Sequence, residues 1–156
     1  MTVSCDNTSG IVRGIAVKTA RGGPMRELES ATAVVDGGLI ENTRVSVKRG
    51  ITFLDVRKWR AVEAELDLEL PWHTRRANVL CEGLDLASLI GQRIQLGGVA
   101  VDIMGETEPC GFMERLQRGL YDALVPDCRG GVHGRVVRAG SFALGDAIKV
   151  LVQTNE

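Results

Sequence analysis

A mainly β fold is the prediction for this chain, and its composition and pattern support it. The 156 residues include 19 glycines, only 4% are aromatic, and the apolar runs are short. Short apolar runs separated by glycine are typical of strands joined by turns rather than of a helical bundle. The pattern indicates some seven or eight short strands with two or three helices. Such a set closes into a barrel or packs as a two-sheet sandwich.

The first part of the chain contains two short strand patterns after a polar beginning. Residues 1–9 are polar and predict a flexible tail, which leaves residues 10–156 as a single domain. Residues 11–17 are rich in Ile and Val and predict a strand. Residues 31–35 predict a second strand, which ends at the turn-forming residues 36–38.

The middle of the chain alternates further strand patterns with one helix. Val45 and Val47 precede the apolar run 51–54, which predicts either two paired strands or one long bent strand. Asp55 is a suitable N-cap for a helix over residues 56–66. The apolar positions of that helix fall three and four apart, so they share one face; they are Trp59, Val62 and Leu66. Residues 78–81 then predict a short buried strand.

The clearest local signal is a β-hairpin over residues 93–103. Two alternating arms flank Gly97-Gly98, and a two-residue glycine turn between such arms is strongly associated with a hairpin. Residues 84–91 before it predict a short helix or turn that begins at Asp85 and ends at Gly91. Residues 133–140 and 142–152 predict the closing strands.

A further amphipathic helix is predicted between the hairpin and the closing strands. Its apolar residues recur every four positions, as Phe112, Leu116, Leu120 and Leu124. Gly119 weakens the helix locally, because glycine disfavours a helix interior.

Charge and segment composition narrow the function classes. Lys and Arg number 19 against 20 Asp and Glu, which argues against a strongly basic nucleic-acid binder. The beginning of the chain has no apolar signal-peptide core, and no run approaches the ~20 apolar residues that span a membrane. We therefore expect a cytoplasmic protein without a membrane or nucleic-acid partner. In that compartment the four cysteines are expected to be free thiols.

Cys110 has the most distinctive surroundings of the four cysteines. It follows Pro109 and directly precedes the predicted helix, where unpaired backbone N–H groups and the helix dipole favour a negative charge. A thiolate is the reactive form and the metal-binding form of cysteine. A lone cysteine is also commonly a small buried apolar residue, so the residues themselves leave a functional and a structural role open.

The other cysteines carry weaker signals. Cys81 lies in an apolar strand and is expected in the core, and Cys5 lies in the tail. Cys128 follows the predicted helix in a loop, where it is either a resolving partner for Cys110 or a plain loop residue. No C-x-x-C pair occurs, and the two histidines do not share metal-motif spacing with cysteines, which argues against a structural zinc site.

Two short segments concentrate basic residues. Arg75 and Arg76 lie in one, and Arg129 precedes Gly130-Gly131 in the other. A bidentate guanidinium beside exposed backbone N–H groups can bind a phosphate or a carboxylate, although the pattern alone favours solvated loop arginines. The sequence contains no Walker loop, no dinucleotide-binding glycine motif and no nucleophile-elbow serine.

Several segments, in order, resemble the MOSC domain, the C-terminal domain of molybdenum cofactor sulfurases, which also exists as small stand-alone bacterial proteins. The segments are TRRAN, GLDL, LIGQR, EPC, RGG and a final GD, from about residue 74 to residue 150. The sequence departs from the family's Gly-Leu-x-Gly-Asp-Arg segment. Glu41 and Asn42 stand where Gly and Asp are expected, so no role is carried over to that loop.

The resemblance implies a closed β-barrel of MOSC type with two or three peripheral helices. It implies that Cys110 matches the family's cysteine, which either carries sulfur as a persulfide or binds the molybdenum of the pterin cofactor. It also implies that the phosphate of an anionic pterin ligand, molybdopterin, is held at motif positions here occupied by Arg75, Arg76, Asn78, Arg129 and Gly130.

The resemblance also bears on partners. The pyridoxal-phosphate-dependent desulfurase half is absent, so no pyridoxal phosphate is expected, and a cysteine desulfurase or a molybdoenzyme is the expected partner.

Three hypotheses for the function of the protein remain open. The first is a molybdenum-cofactor-binding or sulfur-carrier domain that delivers sulfur or cofactor. The second is a component of a molybdenum-dependent reductase of N-hydroxylated compounds, with separate electron donors. The third is a non-catalytic binding module.

Overall fold

The computed structural model describes residues 9–20, 23–42 and 50–151, and a β-barrel dominates these ranges. In chain order the strands of the described ranges are β1 (Ser9–Lys18), β2 (Met25–Glu27), β3 (Ser30–Val34), β4 (Gly38–Leu39), β5 (Ile51–Asp55), β6 (Val79–Glu82), β7 (Arg93–Leu96), β8 (Val99–Glu106), β9 (Val132–Arg138), β10 (Gly140–Ala143) and β11 (Ala147–Leu151). The α-helices are α1 (Val56–Leu66), α2 (Gly111–Leu116) and α3 (Leu120–Leu124). Short 3₁₀ turns cover Trp72–Arg75, Leu86–Leu89 and Pro126–Cys128.

Seven strands form a closed ring in the order β1, β11, β7, β8, β9, β5 and β6, and β6 pairs again with β1. Closure rests on both neighbours of β1, because Ser9 pairs with Lys149 of β11 and Ile11 with Glu82 of β6. The predicted closed β-barrel is therefore confirmed. Strand β2 extends from β1, and β10, β3 and β4 form a separate three-stranded sheet.

Apolar residues of alternating strand positions fill the barrel interior. Phe53, Val79, Ile94, Val101 and Ile148 are all fully buried in one cluster. A strand directs successive side chains to opposite faces, so Thr52, between the core residues Ile51 and Phe53, belongs to the outer face of the barrel wall. The same alternation places Lys18 on the outer face after the core residue Val17.

Helix α1 forms where the sequence predicted it. Asp55 is its N-cap, and the Asp55 carboxylate accepts a hydrogen bond from the Arg57 backbone N–H at 2.8 Å. The helix connects the parallel strands β5 and β6, which require such a crossover. Trp59 and Val62 are buried in a second apolar cluster outside the barrel, and Leu66 packs against that cluster.

The prediction of one helix across residues 112–124 is wrong. The chain leaves helical geometry at Gln117, with φ −156° and ψ 126°, and at Gly119, with φ 87°. The Glu114 carboxylate accepts hydrogen bonds from the Gly119 and Tyr121 backbone N–H groups, at 2.9 and 3.3 Å, and so caps α3 instead of continuing α2. The predicted apolar face is consequently split, and Leu116 is exposed.

The remaining strand predictions agree with the structure in position. The Gly97-Gly98 hairpin joins β7 and β8, and residues 84–91 form the predicted turn. The structure has more strands than the pattern indicated because β2 and β4 are very short and because a turn around Gly145 separates β10 from β11. The predicted tail and the alternation at Val45 and Val47 lie outside the described residues.

We expect Asp55→Ala to destabilise the protein by about 1–2 kcal/mol, because it removes the N-cap of α1. The matched control is Asp85→Ala, since Asp85 precedes a 3₁₀ turn but its side chain accepts no capping hydrogen bond. That variant should change stability by less than about 0.5 kcal/mol. Urea unfolding followed by circular dichroism measures both. Equal losses in the two variants would show that the cap at Asp55 contributes nothing.

Candidate functional site

A cavity of about 760 Å³ lies against the outer face of the barrel wall. Lys18 and Thr52 contribute from the outer faces of β1 and β5, and residues 107–113 contribute the loop before α2 and its first turns. The complete lining is Lys18, Asn42, Gly50, Thr52, Arg75, Arg76, Asn78, Thr107, Glu108, Pro109, Cys110, Phe112 and Met113. Its charged side chains are three cations and the exposed carboxylate of Glu108, so the lining favours an anion.

Cys110 lines this cavity and is exposed. It occupies the N-cap position of α2 with an extended backbone, and its carbonyl accepts a hydrogen bond from the Met113 N–H at 3.0 Å. A Cβ atom added to the neighbouring Gly111 would meet no heavy atom within 4 Å. The space beside the thiol is therefore open to a ligand.

Arg75 is buried, with 6% of its surface exposed, and its guanidinium holds parts of the protein together. Nε donates to the Gly130 carbonyl at 3.1 Å, and Nη2 donates to the Thr107 carbonyl at 2.9 Å. Nη1 lies 3.6 Å from the Met113 sulfur. Arg75 thus contributes positive charge to the cavity wall while it ties the Gly130 turn to the segment that leads to Cys110.

Arg76 follows Arg75 in sequence but is only half-buried. Its Nη1 donates to the Gly23 carbonyl at 2.5 Å, and its guanidinium carbon lies 5.5 Å from the centroid of the Phe112 ring. No carboxylate among the described residues forms an ion pair with it. Burial lowers the pKa of the Arg76 guanidinium. Guanidinium stays protonated in proteins. The attraction of an anion in the cavity would therefore offset the free-energy cost of burying the Arg76 charge.

Asn78 lines the cavity, but its amide group already bonds to the barrel. Its Oδ1 accepts from the Thr52 backbone N–H at 3.2 Å, and its Nδ2 donates to the Ala16 carbonyl at 3.1 Å. The side chain therefore joins β5 to β1 at the cavity wall.

Arg129 and Gly130, also predicted at the site, are not among the cavity-lining residues. The Arg129 guanidinium donates to the Glu65 carboxylate at 2.7 Å and to the Ala123 carbonyl at 3.1 Å. Gly130 is buried, and its carbonyl is the acceptor for Arg75. The structure therefore brings together Cys110, Arg75, Arg76 and Asn78 but directs the Arg129 side chain toward α1.

The remaining described cysteines differ from Cys110 in exposure. Cys81 is buried in the barrel core, as expected, and burial raises the pKa of its thiol, with the nearby charge of Asp55 adding to the effect. Cys128 is half-buried, and burial likewise raises the pKa of its thiol. Its Sγ donates to the Gly131 carbonyl at 3.5 Å. Cys5 lies outside the described residues.

Sequence patterns did not single out several lining residues, among them Lys18, Asn42, Thr52 and Thr107. Asn42 lies in the loop that departs from the family pattern, and its Oδ1 accepts from the Lys18 backbone N–H at 2.7 Å. Thr107 stands only three positions before Cys110, but its residue type carries no distinctive signal. Only the packing of β1, β5 and the loop before α2 brings these residues into one wall.

The MOSC domain matches residues 41–149, which is most of the chain and includes the cysteine and arginine positions described above. The chain belongs to the MOSC domain family. It is thus a molybdenum-cofactor-related domain, and the resemblance noted in its sequence is confirmed. No curated protein matches this MOSC domain at a significant level.

Solved structures of the same fold include two small proteins of bacterial origin. The YuaD protein of Bacillus subtilis has a TM-score of 0.80 at 20% identity, covering 93% of this chain and 97% of that one. YiiM of Geobacillus stearothermophilus has a TM-score of 0.73 at 14% identity, covering 92% of this chain and 75% of that one. At these identities the likeness concerns the fold. No helix in the described ranges of this MOSC domain is long and apolar enough to cross a membrane.

We expect alkylation by iodoacetamide to follow exposure, with Cys110 fastest, Cys128 slower and Cys81 unreactive in the folded protein. Burial shields Cys81 and Cys128 and raises the pKa of both thiols, which lowers their thiolate fractions near neutral pH. Peptide mass spectrometry after timed labelling at pH 7 measures each rate. Faster labelling of Cys128 than of Cys110 would contradict the greater exposure of Cys110.

We expect Arg76→Ala to weaken binding of pyrophosphate roughly tenfold to hundredfold, because it removes a charge-assisted hydrogen bond of about 1.5–3 kcal/mol. Arg129→Ala is the control, since its guanidinium is paired with Glu65 and lies outside the cavity lining. Isothermal titration calorimetry at low ionic strength measures both affinities. If Arg129→Ala weakened pyrophosphate binding as much as Arg76→Ala, Arg129 would also have to contact the bound anion.

Proposed function

We propose that this MOSC domain is a sulfur-carrier and cofactor-binding domain in which Cys110 is the reactive group. The supporting observation is one cavity that combines the exposed Cys110 thiol with the half-buried guanidinium of Arg76. A carrier needs a thiol that two successive partners can reach, and an anionic ligand needs a fixed positive charge. The cavity supplies both, and a purely structural cysteine would need neither.

The residues present fit an anionic pterin cofactor. The volume of about 760 Å³ lies within the range of about 300–1,000 Å³ that small-molecule sites occupy. Arg76 would bind the phosphate group, with Lys18 adding positive charge from β1. Phe112, which is half-buried in the lining, adds apolar surface to the cavity beside the Arg76 guanidinium. Bound at this position, the cofactor would supply the molybdenum centre and its redox chemistry.

The chemistry assigned to the protein itself is confined to Cys110. As an exposed thiol it can release its proton to solvent. The thiolate then bonds to the outer sulfur of a persulfide on the donor, the bond between the two sulfurs of that persulfide breaks, and the donor leaves as a thiolate. A cysteine desulfurase is a fitting donor and a molybdoenzyme a fitting acceptor. Arg75 positions the loop that precedes Cys110 by its bond to the Thr107 carbonyl.

A second candidate function uses the same thiol as a molybdenum ligand. The cavity is large enough for the cofactor beside Cys110, which would then contribute one thiolate to the metal. In that case the domain would be the molybdenum-binding component of a reductase of N-hydroxylated compounds. Its electrons would have to come from separate partner proteins.

We expect protein purified from a cofactor-producing host to carry a persulfide on Cys110, a mass increase of roughly one sulfur atom that reducing agents remove. Cys110→Ser should lose this modification, whereas Cys128→Ser should keep it because Cys128 is half-buried outside the cavity lining. Intact-mass and peptide mass spectrometry measure it. If the wild-type protein bound molybdenum in a fixed ratio and Cys110→Ser bound none, the second candidate would be favoured. Neither persulfide nor metal, with no anion binding, would leave a non-catalytic binding module.

A further inference from the structure

Thr107 has a buried hydroxyl group without a hydrogen-bond partner among the described residues. The residue is 6% exposed, and it belongs to the lining of the cavity that holds Cys110. Its backbone is fully used, because its N–H donates to the Gly131 carbonyl at 2.8 Å and its carbonyl accepts from Arg75. An unpaired buried hydroxyl is unfavourable, because it has lost its hydrogen bonds to water. A ligand in the cavity that accepts its hydrogen bond would remove this cost.

The Thr107 hydroxyl does not stand alone in the cavity wall. The Arg76 guanidinium lies over the Phe112 ring, and Phe112 is two residues after Cys110. Thr107 and Arg76 are thus a donor and a half-buried cation that line one cavity with an open thiol. Donors of these two kinds recognise oxygen atoms that carry negative charge. The carboxylate of Glu108 lines the same cavity, but it is exposed, so solvent screens its repulsion.

We propose that Cys110 also takes its sulfur directly from a small sulfane-sulfur oxyanion of the thiosulfate class, whose sulfonate group Arg76 and Thr107 bind. This inference rests on the proposed sulfur-carrier function and names the donor that loads the thiol. A protein donor would not need a buried hydroxyl and a half-buried guanidinium in the cavity that the thiol lines. A small donor with an oxyanion head would contact both.

The reaction balances without an added oxidant. The Cys110 thiol first releases its proton to solvent. The thiolate sulfur then forms a bond to the outer sulfur of thiosulfate, and the bond between that sulfur and the sulfonate sulfur breaks. The bonding electron pair leaves with sulfite. The thiolate and the thiosulfate dianion become a persulfide anion and a sulfite dianion, so atoms and charge are conserved. Arg76 and Thr107 stabilise the oxygens on which the departing charge resides.

The test is to incubate the reduced 156-residue protein with thiosulfate and to follow two products. Peptide mass spectrometry measures the persulfide on Cys110, and a colorimetric assay measures released sulfite. We expect equal initial amounts of both in the wild type and neither in Cys110→Ser. Arg76→Gln and Thr107→Val should each lower the rate at least about tenfold. Pyrophosphate should compete with thiosulfate, because it would occupy the same oxyanion donors.

Two matched variants separate the proposed roles from general damage. Arg115→Gln removes the other guanidinium that lies over the Phe112 ring, at 5.3 Å, but Arg115 is exposed and outside the lining, so the rate should not change. Thr107→Ser keeps the hydroxyl and should keep most of the rate. Thr107→Val should melt no lower than the wild type, because it replaces an unpaired buried hydroxyl by a methyl group.

A second sulfur source distinguishes the failure of this inference from the failure of the proposed function. In a parallel reaction the protein receives sulfur from a cysteine desulfurase supplied with cysteine. Persulfide on Cys110 from the desulfurase but not from thiosulfate would overturn the oxyanion donor and leave the carrier function standing. Equal thiosulfate rates in wild type, Arg76→Gln and Thr107→Val would overturn the assigned binding residues. No persulfide from either source would overturn both proposals.

Discussion

The buried guanidinium of Arg75 is the interaction on which the geometry of the site depends. It donates to the carbonyl of Gly130 in the turn before β9 and to the carbonyl of Thr107 just after β8, and it contacts the sulfur of Met113 in α2. Buried carbonyls that lose such a donor are costly to leave unpaired. The turn that carries Arg75, residues 107–113 and the turn at Gly130 are distant in sequence and are therefore held at one point, and Cys110 lies between Thr107 and Met113.

Close backbone approach at the same point explains the glycines of the turn before β9. A Cβ atom on Gly130 would lie 2.6 Å from the Thr107 carbonyl oxygen, and one on Gly131 would lie 1.9 Å from that of Phe53. Gly131 also has φ 89°, which favours glycine. The Arg-Gly-Gly segment that resembled a phosphate-binding loop in the sequence thus serves, in the fold, to let the backbone pass close to β5 and β8.

The adjacent arginines have different consequences for chemistry. Arg75 uses its donors inside the protein, whereas Arg76 keeps a partly desolvated charge that forms no ion pair with a described carboxylate. The three helices make room for the Arg76 side chain beside the barrel. They do so because α1, α2 and α3 share an apolar cluster outside the barrel that includes Trp59, Met113 and Leu124. That cluster fixes α2 beside the barrel wall and leaves an open cavity next to it. The packing of the helices against the barrel wall therefore accounts for the Arg76 charge, the Cys110 thiol and the cavity that both of them line.

The sequence by itself determined the elements that depend on neighbouring residues. The cap at Asp55, the face of α1 and the Gly97-Gly98 hairpin all follow from local hydrogen bonding and periodicity, and each lies where it was predicted. The family motifs also pointed to Cys110 and to the two arginines in the cavity. Tertiary structure decided the rest. The break of the helix near Gly119 depends on capping by Glu114, the pairing of Arg129 with Glu65 joins residues 64 positions apart, and the buried hydroxyl of Thr107 has no sequence signature. Contacts between distant segments, with the burial they impose, leave no periodic trace in the chain.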